Sequence, residues 1–156
     1  MTAPAVVIGV GNEYRRDDGV GAAVVRRLHR CTLPQVTLAI TDGESSRLIE
    51  LWGDADVAVV VDALHADGGE PGRIHRVVVD RPLTGHRPLA SSHGMGMGEA
   101  VDLALALDRM PRRLVILAVE GADFSVGRGL TPAVRAALDR IAALTIDELS
   151  AVASAV

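Results

Sequence analysis

The chain has 156 residues, enough for one domain with a sizeable core. Its basic residues, all arginine, number 16 against 20 acidic ones; they are scattered and leave a net charge of −4, so nucleic acid is not an expected partner. Cys31 is the only cysteine, which excludes an intramolecular disulfide and a cysteine metal cluster, and with aromatics at 2% the core has to be built from Val, Leu, Ile and Ala.

Met1 to Pro4 carry no basic region, and no stretch approaches the roughly 20 apolar residues of a membrane span. The expectation is a single cytoplasmic domain over residues 1–156, with no membrane partner. Ala5 to Ile8 read as a first strand that stops at glycines. Gly9 to Gly21, GVGNEYRRDDGVG, form a turn leading into a helix with Val20, Val24, Val25 and Leu28 on one stripe. A dinucleotide fingerprint needs a third glycine where Tyr14 stands, and Asp17 and Asp18 would repel a phosphate. Asp17 fits an ordinary helix cap, whereas Asp18 is a candidate cation ligand. Cys31 is expected to be a small buried side chain at the helix end.

Gln35 to Thr41 read as a second strand closed by Asp42-Gly43, with Ser45 or Ser46 capping a short helix to about Trp52. Val57 to Val61 have the continuous apolar pattern of a central strand and end at Asp62. The turn-rich interval from Leu64 to Gly72 is too short for a parallel crossover, so the strand Arg73 to Val79 should run antiparallel to the third. An irregular stretch, Asp80 to Ser92, then climbs back. A helix with Met97, Val101, Ala104 and Leu105 follows, and Leu103 and Leu107 make it apolar enough to be well buried. Arg113 to Val119 are the last strand, and a Gly-rich loop leads through Thr131-Pro132 into a terminal helix that is expected to break near Thr145.

Asp18, Asp62 and His93 each fall where this topology meets the upper edge of the sheet. Two carboxylates and an imidazole there form a plausible open metal site. The small residues of Ser91-Ser92-His93-Gly94 leave room for a bulky partner, while Glu120 is a second candidate at a strand end. His29, His65, His75 and His86 lack that setting, and Met97 reads as core. No serine-hydrolase elbow or His-Glu-x-x-His helix is present.

VIGVGNEYRRDDGVG at 7–21, Asp42-Gly43, VVVDA at 59–63, SSHG at 91–94 and VEGADFSVGRGLTPAVRAAL at 119–138 together resemble the hydrogenase maturation endopeptidases. That family removes a C-terminal extension from the large subunit of nickel-iron hydrogenases. The resemblance implies an α/β fold, three layers α/β/α with a mixed, mostly parallel five-stranded twisted sheet whose fourth strand is antiparallel. It further implies that Asp18, Asp62 and His93 contact metal and carry catalysis, and that Asp42 and Gly43 lie in a loop that meets the substrate. The nickel is expected to come with the precursor, no metal being stored in the protease, and Asp18 or Asp62 would serve as base. Glu13-Tyr14, Asp-Gly-Glu at 42–44 and Gly121 depart from the family's usual residues. Two other readings use the same groups: a non-catalytic nickel-dependent checkpoint or chaperone, and a small-molecule hydrolase on a related sheet.

Overall fold

The apolar runs become the middle of one sheet: β1 (Ala5–Val10), β3 (Val57–Leu64) and β5 (Arg113–Glu120), nearly all of whose residues are buried. A computed structural model describes residues 4–66, 68–79 and 96–154. With β2 (Val36–Thr41) and β4 (Ile74–Val79) it forms five strands in the order β2-β1-β3-β5-β4. β1, β2, β3 and β5 are parallel, and β4 alone is antiparallel. This is the mixed sheet and the reversed fourth strand expected from the sequence. β4, however, pairs with β5 rather than with β3.

Because successive side chains of a strand point to opposite faces, each central strand feeds two cores. Val7, Val59, Val61 and Leu117 pack with α1 (Val20–Leu28) and α4 (Pro132–Ser154). Ile8, Ala58, Val60 and Ile116 pack with α2 (Ser45–Trp52) and α3 (Gly96–Ala106), where Trp52 and Met97 are also buried. The result is three layers, with helices on both faces.

Five expectations are corrected. Neither Ser45 nor Ser46 caps α2: the Glu44 carboxylate accepts from the backbone N–H groups of Ser46 and Arg47, and those bonds, with the Ser46 hydroxyl first, hold its pKa below the usual glutamate value. The third strand does not stop at Asp62, since pairing continues from Asp62↔Ala118 to Leu64↔Glu120. Cys31 is exposed, three residues past the end of α1. Leu103 and Leu107 are 40% and 55% exposed, so α3 buries one stripe rather than most of its circumference. α4 runs unbroken through Thr145, whose hydroxyl donates back to the Ile141 carbonyl at 2.8 Å within the helix.

α4 is held at its far end by Glu148, a buried carboxylate that accepts from Arg76 of β4 and, at 3.1 Å, from Arg113 of β5. These guanidinium contacts, Arg76 first, keep Glu148 below the usual glutamate value despite its burial.

Candidate functional site

The parallel strands deliver their ends to one edge, so the residues following β1, β2 and β3 share a rim. Asp62 lies at that edge, one position beyond the Gly9↔Val61 pair, and Asp42 directly follows Thr41, the partner of Val10. Strand alternation places Asp62 on the α2/α3 face, with Ala58 and Val60. It is buried, and its Oδ1 accepts from the N–H of Ala63 at 2.8 Å.

Asp18 reaches the same edge by close packing of backbone. A single 3₁₀ turn, Arg16–Gly19, joins the glycine loop to α1. At Gly21 a Cβ would lie 2.5 Å from the Val61 carbonyl oxygen and 2.6 Å from the Val10 nitrogen, so only glycine lets the start of α1 settle on the ends of β1 and β3. Gly11, with φ of 143°, sits where any side chain would overlap the Asp18 carbonyl. The buried Asp18 carboxylate accepts from the Asn12 N–H at 2.9 Å, and the Asn12 side chain accepts from the Tyr14 N–H at 2.9 Å.

Asp17 is not the simple cap expected for it. Its side chain is fully buried and turned to the loop between β5 and α4. Oδ2 accepts from the N–H groups of Ala122 (2.8 Å) and Asp123 (3.1 Å) and from the Thr131 hydroxyl (2.8 Å), and Oδ1 accepts from the Thr131 N–H at 2.7 Å. Backbone bonds from Asp17 to Asp123, from Arg16 to Gly127 and from Gly127 to Tyr14 complete the seam. The sequence signal for this role was present in Thr131-Pro132, where a hydroxyl residue before proline marks a helix start. What it did not show is that the hydroxyl donates to an aspartate more than 100 positions away.

Asp42 is exposed, and its Oδ1 accepts from the Glu44 N–H at 3.1 Å in a turn that Gly43 closes with φ of 94°. Glu120, the second strand-end candidate, faces β4: it bonds His75 Nε2 at 2.9 Å and the Glu70 N–H at 3.2 Å, with Arg73 at 4.0 Å. The His75 contact is the main reason its pKa falls below the usual value. His65 stacks on Phe124 with ring centroids 4.9 Å apart, a packing role. The structure thus brings Asp18, Asp62 and Asp42 to one edge and assigns Asp17 and Glu120 to holding loops. His93, with Ser91, Ser92, Gly94, Met95 and the climb from Asp80 to Ser92, lies outside the described residues. Among the described residues no group of three or more His, Cys, Asp and Glu side chains converges as a metal site. The chemistry on the rim is therefore two buried carboxylates, groups suited to gripping a hard or borderline cation and to moving a proton.

A profile of the hydrogenase maturation protease family (HycI) matches residues 22–148, a span that includes Asp62 and His93 and begins after Asp18. The hydrogenase expression/formation protein HupD of Bradyrhizobium diazoefficiens is 34% identical over 135 residues, covering 83% of this chain and 69% of its own. The hydrogenase 2 maturation protease of Escherichia coli is 24% identical over 137 residues, covering 86% of this chain and 83% of its own. Among solved structures, the hydrogenase maturating endopeptidase HybD of Escherichia coli superposes with a TM-score of 0.77 at 20% identity over 94% of this chain and 92% of its own. The maturation protease HybD of Thermococcus kodakarensis does so at 0.72 and 21% over 94% and 99%. At these identities the structural likeness speaks for the fold.

Proposed function

We propose, from the premise that this chain belongs to the hydrogenase maturation protease family and is a peptidase, that it cuts the C-terminal extension from the precursor of a nickel-iron hydrogenase large subunit after nickel insertion. The observation that carries the reading is the pair of buried carboxylates, Asp18 and Asp62, on one sheet edge, each held by a backbone N–H. Their placement rests on glycine contacts and strand register rather than on flexible loops. The nickel belongs to the substrate and acts as the recognition element, gripped by Asp18, Asp62 and His93, while the precursor supplies its own remaining ligands.

Docking on that ion holds one peptide bond beside the carboxylates, converting an encounter into a positioned reaction. One carboxylate takes a proton from the attacking water and returns it to the departing amide nitrogen, so that a carboxylic acid and an amine leave. In this reading the enzyme is an aspartate-dependent, metal-recognising peptidase of the cytoplasm, and Asp42 and Gly43 line the approach of the substrate chain.

The test is incubation with nickel-loaded and nickel-free precursor, followed by mass measurement. Loss of the extension only in the loaded sample is the expected result, and Asp18→Asn, Asp62→Asn and His93→Ala should each slow it by about 100-fold or more. Binding of loaded precursor without any cleavage would make the protein a checkpoint or chaperone instead. Full processing by Asp62→Asn would end the assignment.

A further inference from the structure

The chain has one tyrosine, and the fold leaves it 60% exposed on the rim that carries Asp18. Tyr14 is fixed there: its N–H donates to the Asn12 side chain, its carbonyl accepts from the Gly127 N–H at 2.8 Å, and the Arg128 guanidinium lies 5.0 Å over its ring. Val126, 78% exposed, immediately precedes the Gly127 whose N–H meets the Tyr14 carbonyl. Arg15 and Arg128 are both exposed, and among the described residues no carboxylate pairs with either. The nearby acids are already engaged, Glu13 with Arg26 and Asp123 with Arg16 at 3.7 Å. Two exposed guanidinium groups without a carboxylate partner among the described residues therefore flank Tyr14, while the carboxylates of Asp17 and Asp18 are buried.

We propose that Tyr14, Val126, Arg15 and Arg128 form the docking surface for the precursor, taking a segment in which carboxylate side chains flank an apolar one. Tyrosine and arginine presented rigidly are the residue types that dominate binding interfaces. The two guanidinium groups select acidic side chains, and the tyrosine face and Val126 take the apolar one. The surface is continuous with the candidate site, because Asn12 bonds both Tyr14 and Asp18 and only two hydrogen bonds separate the contact from the carboxylate. Tyr14, Arg15 and Arg128 are all exposed, so replacing their side chains leaves the core intact.

This inference rests on the peptidase reading, and its experiment separates the two. KM and kcat for nickel-loaded precursor, and Kd for the same precursor, are measured for the wild type, for Tyr14→Ser and for the double variant Arg15→Glu/Arg128→Glu. The double variant should raise KM and Kd by about 10-fold or more with kcat retained, and about 0.5 M salt should shrink the difference. Tyr14→Ser should raise both at every salt concentration. KM and Kd within about two-fold of wild type in both variants would overturn the docking surface while leaving the peptidase intact. If the wild type binds precursor without cutting it, the peptidase reading falls and Kd alone decides the surface. A wild-type dimer that Tyr14→Ser dissociates would assign the patch to self-association and overturn the proposal.

Discussion

Replacing Asp17 by asparagine keeps the shape of the side chain and changes only what it offers. The amide oxygen can stand at the Oδ2 position and still accept from Ala122, Asp123 and the Thr131 hydroxyl. The NH2 group then faces the Thr131 N–H at the 2.7 Å now spanned by a hydrogen bond, donor against donor. Losing one bond to a carboxylate and stranding its donor costs about 2–4 kcal/mol. With a folding stability of about 5–15 kcal/mol the variant still folds, and its melting temperature should drop by about 6–12 °C. Asp17→Ala strips all four donors and should bring the chain close to unfolding. Calorimetry and urea titration measure both, and Thr131→Val supplies the second arm of a double-mutant cycle. Asp17→Ala and Thr131→Val break the same hydroxyl bond, so together they should fall short of additivity by about 1 kcal/mol or more, whereas Asp17→Asn keeps that bond. An Asp17→Asn protein melting within about 1 °C of the wild type would refute the reasoning.

Other outcomes follow from packing and charge. Gly21→Ala forces a methyl against the Val61 carbonyl and the Val10 nitrogen; it should cost about 1–3 kcal/mol and reduce processing further than that loss explains, because the turn bearing Asp18 must move. Glu148 has its pKa depressed in the folded state, so between that value and the usual glutamate value of about 4.3 the unfolded chain binds more protons and stability rises with pH. The melting temperature should therefore fall as pH drops from about 5 to 3, and fall less in Glu148→Gln. Leu107→Gln should change stability by no more than about 0.5 kcal/mol, since that leucine is 55% exposed; a larger loss in urea titration would show that the side chain is buried in solution.

What the sequence revealed was governed by periodicity. β3 and β5 are covered on both faces, and unbroken apolar runs of their length have few other uses. The reversed direction of β4 followed from the shortness of its connection, but its neighbour did not, because hydrophobic pattern carries no pairing partner. Asp62 was placed at a strand end because charge interrupts an apolar run. The backbone ladder is indifferent to that interruption and runs on to Leu64. Glu44 outcompeted the two serines as cap because its longer side chain reaches two N–H groups at once. The exposure of Leu103, Leu107 and Cys31 depends on which neighbours cover a surface, information that no local stretch contains. Asp18 was legible as a candidate because a helix start favours an ionised carboxylate, which is a cation ligand, yet the division of labour between it and Asp17 is a tertiary fact.

The carboxylate of Asp17 ties together positions 105 to 114 residues apart. A nascent chain still lacking Thr131 already contains Asp18 and Asp62, but the loop that engages the neighbouring Asp17 carboxylate is incomplete. The last strand and its following loop must emerge from the ribosome first, and closing so long a loop is slow. Cutting activity is thereby withheld until that loop has been made.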